Sequence, residues 1–213
     1  MKNLLIVLAL ILTINTTNAN DSTAYYNALS AQIELLNKSK TVSEYQTVAN
    51  AFERIAQKET SEWLPNYYAA LSYLRAGFQN NQTLAEKDNY FDKAISLIDQ
   101  AEEISPNNSE LVALRGYALM GKLSADAANR GQSMSSKVMQ LFGKAIQLNP
   151  ENPRALYLMA QMEYGMSQFF GTGTEKACGM AKQSLTLFDQ NQEVSINPNW
   201  GQAGAKEMAG RCE

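Results

Sequence analysis

Apolar residues spaced i, i+4, i+7 recur four times along the chain: Val48/Phe52/Ile55, Ala94/Ile98/Ala101, Val138/Phe142/Ala145 and Ala181/Leu185/Phe188. That spacing places three side chains on one face of a helix, so each stretch predicts a helix with one buried side. Start signals support the reading. Thr41-Val-Ser-Glu44, Thr83-Leu-Ala-Glu86 and Thr172-Gly-Thr-Glu175 each fit a capping box, in which the Thr hydroxyl satisfies an orphan amide and the Glu reaches back to the cap. Ser105-Pro106-Asn107-Asn108 and Asn149-Pro150-Glu151-Asn152 read as stops, since proline cannot continue a helix. The resulting layout is helices over 23–37, 42–57, 64–79, 86–104, 109–122, 134–148, 153–168, 174–189 and 198–211. No stretch alternates with period two, so no sheet is expected.

A longer period overlies the helical one. Pro65/Ser72, Ser109/Gly116 and Pro153/Ala160 repeat at intervals of 44 residues, and Pro198/Ala205 follows one residue late. Periods of this size mark stacked supersecondary units. The small residue seven positions into each unit lets a paired helix approach closely. The expectation is one domain, 20–213, built as an all-α, right-handed helical-hairpin solenoid of about four repeats plus an N-terminal capping helix. Tyr25, Tyr26, Leu29, Ile33 and Leu36 on the first helix would close the N-terminal end.

Within this frame, Ser72 is followed by Ala94, Ile98, Ala101 and Pro106, and Gly116 by Val138, Phe142, Ala145 and Pro150. In these residues the chain resembles the tetratricopeptide repeat family over about 41–212, most strongly over 86–165. The family period is about 34, so the extra residues are expected between paired helices, around 79–85, 122–133 and 167–173. The family's usual first-helix tryptophan is replaced by Tyr68, Val112 and Leu156.

The resemblance implies a concave groove lined by the first helix of each pair at positions 2, 5, 9 and 12. Counting from Pro65, Ser109, Pro153 and Pro198, the implied partner-binding set is Asn66, Tyr73, Tyr117, Met120, Arg154, Tyr157, Gln161, Tyr164 and Lys206. Tyrosines, an arginine and amides suit a protein or peptide ligand, giving flat contact area and hydrogen bonds. Packing between helices is the competing role for the tyrosines. The clamp by which some members hold a C-terminal carboxylate is missing, because Ala113, Tyr117, Tyr157 and Gln161 occupy its places, with Leu114 and Leu158 alongside.

The N-terminus changes the setting. Lys2, an apolar run from Leu4 to Leu12 and Asn15-Thr16-Thr17-Asn18-Ala19 have the layout of a signal peptide, 1–19, cleaved after Ala19. The run is well short of the roughly 20 residues of a membrane span. Export to the periplasm or beyond is therefore expected, with no stable membrane insertion after cleavage. Loss of Lys2 leaves seventeen basic and 21 acidic side chains, a formal net charge of −4. That balance argues against nucleic acid as a partner.

Histidine is absent altogether, which removes the commonest general base and zinc ligand. Cys178 and Cys212 lie in the exported part, where an even count fits one disulfide; two free thiols are the alternative. In an antiparallel C-terminal helix pair, the two cysteines would meet and staple the terminal helix down. No cofactor or metal is expected.

Two further clusters have ordinary roles open to them. Phe169-Phe170-Gly171-Thr172-Gly173-Thr174-Glu175-Lys176 is glycine-rich before a helix, but lacks the spacing and the strand of a nucleotide loop. It reads as a connection under which the two phenylalanines tuck, the alternative being an exposed contact point. Asp88, Asp92, Asp99, Glu102 and Glu103 read as a solvated helix face.

The sequence thus points to an exported, non-enzymatic scaffold or adaptor of the cell envelope binding a protein or peptide. Two alternatives remain: an envelope enzyme or carbohydrate-handling accessory protein, and a subunit that self-associates through its solenoid ends.

Overall fold

The computed structural model describes residues 16–190 and 195–212, with side chains from residue 22 onward. The proposed leader falls largely outside the described residues; of 16–21 only the helical backbone is described. Among the described residues there are nine helices and no strand. They are α1 (Thr16–Lys38), α2 (Val42–Lys58), α3 (Leu64–Gly77), α4 (Leu84–Ile104), α5 (Ser109–Ala125), α6 (Ala127–Leu148), α7 (Pro153–Phe170), α8 (Glu175–Gln190) and α9 (Gln202–Gly210). Successive helices pack as antiparallel hairpins. Alternate helices α1, α3, α5 and α7 also stack on one another, and α9 rests on α7 and α8. This is the helical-hairpin solenoid the repeat predicts.

At Gly116 a close approach falls where the pattern placed a small residue, and Gly121 and Gly77 add two more. An ideal Cβ on Gly116 would stand 2.5 Å from Cε1 of Phe142, and one on Gly121 would stand 2.5 Å from Cε1 of Phe91. Phe91 also meets Gly77 on the opposite side, at 2.8 Å from its ideal Cβ, so its ring is wedged between α3 and α5. Ser72 and Ala160 are likewise fully buried. Helix ends are tied into the same core. Asn152 caps α7 by accepting the Arg154 and Ala155 amides, and donates to Ser109 Oγ at 2.8 Å. Ser109 in turn donates to the Ala145 carbonyl in the last turn of α6.

The capping boxes at Thr41/Glu44 and Thr83/Glu86 form. The third does not. Cys178 N–H bonds to the Thr174 carbonyl, so α8 starts at Glu175 and Thr174, not Thr172, stands at its cap.

Helix α1 begins at Thr16 rather than 23, and α3 and α7 end within two residues of expectation; two further boundaries differ for a local reason. The stretch 122–133, expected as a connection, is helical on both sides of Asp126, and α6 starts at Ala127 rather than 134. It contains no proline, and Arg130 anchors the early turn with a bidentate bond to Asp88 at 2.7 and 2.6 Å and a bond to the Lys122 carbonyl at 2.9 Å. At the other end, α9 starts at Gln202 rather than 198. Gly201 has φ +107°, and an ideal Cβ there would lie 2.9 Å from Cζ of Phe188, so glycine both breaks the helix and permits the contact. Cys178 and Cys212 are joined, with Cα atoms 5.6 Å apart.

Candidate functional site

The concave side of the array is not bare. Residues 195–201 run across it as a strap ahead of α9. Tyr68 donates to the Ile196 carbonyl at 2.8 Å, and the Trp200 indole N–H donates to the Tyr67 hydroxyl at 2.8 Å. Tyr67 donates on to Glu110 at 3.3 Å, which also takes both prongs of Arg154, at 2.7 and 2.6 Å. Trp200 stacks on Tyr117 at 5.6 Å between ring centres, and Tyr117 stacks on Phe78 at 4.8 Å. The three rings therefore form a continuous column.

Electrostatics follow from this burial. Desolvation pushes the Tyr67 and Tyr117 hydroxyls well above the usual phenol range. Burial would depress the Arg154 guanidinium, but its bonds to Glu110 outweigh that and hold it above its ordinary value.

The sequence-predicted partner residues therefore fall into several places. Tyr117 and Arg154 are held in the strap network just described. Tyr157 is half-buried, with its hydroxyl against Gly204 of α9. Tyr73 is buried and donates to Glu53 at 2.8 Å, while Tyr164 packs at the small α7–α8–α9 cluster. Lys206 is exposed on α9. Asn66 is buried and lines a shallow polar hollow of about 340 Å³ with Gln57, Thr60 and Gln100. Met120 and Gln161 alone meet at a second, larger opening.

That opening is a cleft of about 830 Å³ between α5, α6 and α7. Its size lies within the range of small-molecule sites. Met120 and Leu123 form the α5 wall; Ala127, Ala128, Gly131 and Ser135 the α6 wall; Gln161, Met162, Gly165, Met166, Phe169 and Phe170 the α7 wall. Ser124 and Gln132 add polar groups, and both are exposed. Phe169 and Phe170 do not tuck under the following connection. They are 79% and 67% exposed and meet edge to face. Two large aromatics standing in water beside an apolar cleft are an uncompensated cost unless something covers them.

The cleft is a product of the residues in excess of the ordinary repeat. Most of its α6 wall (all but Ser135) and the end of its α7 wall fall in 122–133 and 167–173, the stretches expected to connect helices. Sequence reasoning therefore missed Leu123, Ala127, Met162, Gly165 and Met166. The available signal was a second apolar stripe, Met162/Met166/Phe169/Phe170, continuing α7 past its expected end.

Four of the five clustered acids of α4, all but Glu103, are ion-paired. Asp88 pairs with Arg130, Asp92 with Lys122, and Asp99 and Glu102 with Arg115. Among the described residues no group of three or more His, Cys, Asp or Glu side chains gathers to hold a metal ion, and no helix is long and apolar enough to cross a membrane.

No family model matches the chain, and no curated protein matches it by sequence. Among solved structures, it is similar to the HusA haemophore from Porphyromonas gingivalis, with 29% identity, 90% of this chain and 94% of that one covered, and a TM-score of 0.81. Weaker likenesses are to a MamA RS-1 double mutant, with 14% identity, 78% and 76% coverage and a TM-score of 0.46, and to MamA from Desulfovibrio magneticus RS-1, with 13% identity, 82% and 98% coverage and a TM-score of 0.35.

Proposed function

We propose that this chain is an exported binding protein for haem or a related tetrapyrrole, and that the α5–α6–α7 cleft is the seat. One observation carries the reading: an open, apolar, methionine-lined cleft flanked by the exposed Phe169–Phe170 pair. Support comes from the likeness, over nearly its whole length, to a protein titled a haemophore. A flat, largely apolar ring would cover the aromatics and recover their hydrophobic free energy. Face-on contact with phenylalanine suits a π-system. Charged carboxylate arms would lie at the wet rim, near Ser124 and Gln132, without needing a buried counter-charge. Export rests on the leader-like N-terminus and is consistent with the disulfide.

A protein or peptide on the concave face would first have to displace Trp200 and its bonds. The cleft needs no such displacement, which favours it over the groove as the binding site. Binding is passive in this reading, and no catalytic group is required.

The test is a titration of the oxidised mature chain with haem and with metal-free protoporphyrin, followed by absorbance and tryptophan quenching. Saturable one-to-one binding is expected. Phe169→Ser with Phe170→Ser should weaken it by roughly tenfold or more, since each buried aromatic face is worth about 1 kcal/mol or above. Tyr117→Phe should leave it unchanged. Unaltered affinity in the double phenylalanine variant would remove the proposal.

A further inference from the structure

Asn66 is only 6% exposed. Among the described residues its carboxamide makes no hydrogen bond, and neither polar atom is sealed from solvent. A buried amide in that state costs free energy unless water or a ligand completes it. The space it opens onto is the hollow of about 340 Å³ between the end of α2, the start of α3 and the final turns of α4. The hollow shares no lining residue with the α5–α6–α7 cleft, so nothing inferred from it depends on the tetrapyrrole reading.

No basic side chain lines the hollow, and two carboxylates do. Glu53 is committed, accepting from Lys93 at 3.0 Å and from Tyr73 at 2.8 Å. Glu103 is not: among the described residues it has no ion-pair partner, unlike the other four acids clustered on α4. It also stands in the last turn of α4, which holds no basic residue although the helix dipole favours a cation there. The N-terminus of α3 would favour an anion, but Pro65 withholds one of its amides and the two carboxylates oppose the charge. Gln57, Thr60 and Gln100 add oxygens that accept hydrogen bonds. Leu97 and Ile104 supply an apolar strip beside them.

We infer that this hollow binds the ammonium group of a short alkylamine. An ammonium carries three donors and no acceptor, which matches a lining where every polar side chain can accept. The charged head sits between the Asn66 carbonyl and the Glu103 carboxylate, and the alkyl chain lies along Leu97 and Ile104. Bound there, the cation completes the Asn66 amide and offsets an acid placed at the wrong end of its helix. The same head group comes on a free diamine or on a lysine side chain of a peptide.

The experiment titrates the oxidised mature chain, labelled with nitrogen-15, with cadaverine and with Nα-acetyl-lysine methylamide. Pentanol and pentanoate serve as neutral and anionic controls. Both amines should shift the side-chain amides of Asn66, Gln57 and Gln100 saturably, with a Kd on the order of 1 mM. Glu103→Gln should weaken both by about two- to fivefold, the range of an exposed ion pair. Asn66→Ala should weaken them by roughly three- to tenfold, as for a lost neutral hydrogen bond. Tighter binding of cadaverine assigns a free amine; tighter binding of the blocked lysine assigns a side chain carried on a peptide. Equal shifts with pentanol or pentanoate, no saturable shift with either amine, or unchanged affinity in the exposed-site variant Glu103→Gln would each overturn the proposal.

Discussion

Replacing Gly116 by alanine tests whether the repeat's small position exists to admit a neighbouring helix. Two opposed terms decide the outcome. Alanine in a helix interior is favoured over glycine by about 1 kcal/mol. Against this, the new Cβ would stand 2.5 and 2.7 Å from Cε1 and Cδ1 of Phe142. Ordinary carbon contacts are about 3.5–4.0 Å, so ring or helix must retreat by about an ångström. Phe142 is fully buried and cannot swing into solvent. Overpacking of this kind costs about 1–3 kcal/mol, and a rigid, enclosed ring places it at the upper end. The expected net effect is a loss of about 1–2 kcal/mol, or a Tm lower by roughly 2–8 °C for a chain of this size. Gly179 provides the control, because it is an exposed helical position with open space at its Cβ. The same substitution there should raise stability by about 0.5–1 kcal/mol. Urea unfolding followed by circular dichroism reads both. Shrinking the ring with Phe142→Leu should make the pair less costly than the sum of the singles. If Gly116→Ala proved as stable as Gly179→Ala, the packing argument would fail.

Other consequences follow from the strap, the staple and the ion pairs. Reducing the Cys178–Cys212 bridge opens a loop with a sequence separation of 34, and by the loop-entropy estimate should lower unfolding free energy by about 3–4 kcal/mol; equal urea midpoints with and without reductant would contradict this. Trp200→Ala removes the stack on Tyr117 and leaves the Tyr67 hydroxyl without its donor. Because Trp200 is only half-buried, a loss of about 2–3 kcal/mol is expected, below the roughly 3–5 kcal/mol of a fully buried aromatic, with tetrapyrrole affinity retained. Asp88 is held below the usual carboxylate range by its hydrogen bond and charge contact with Arg130. A depressed carboxylate stabilises the folded chain above its unfolded pKa of about 3.9, and that contribution disappears as pH falls through the lower folded value. Amide exchange at the start of α6 should therefore quicken below about pH 4, and Asp88→Asn should show the quickening already at neutral pH.

How much of this was legible in the chain depended on whether a signal was local. The helical faces around Phe52, Ile98, Phe142 and Phe188 and the caps at Thr41 and Thr83 rest on neighbours three to seven positions away, and each was readable. The Cys178–Cys212 pairing followed from an antiparallel hairpin plus an even count. By contrast, the strap depends on Trp200 finding Tyr67, 133 residues earlier, and no local pattern announces that. The residues implied by the tetratricopeptide resemblance were placed by assuming that the concave face is open. Here Tyr117 and Arg154 serve the chain's own segment. The helical turns on either side of Asp126 were missed because an insertion in a repeat reads as a loop, while their anchor, Arg130 on Asp88, joins residues 42 apart. That misreading also hid the cleft, since the insertion builds its walls.

The central claim is that a tetrapyrrole sits between α5, α6 and α7 and not on the concave face. Hydrogen–deuterium exchange of the oxidised mature chain, with and without gallium protoporphyrin, places the ligand most directly. Protection should rise over 120–135 and 161–170, with the amides of 195–201 unaffected. Protection gathered at the strap and around Tyr67, Tyr117 and Tyr157, with none at Met166 or Phe170, would contradict the account.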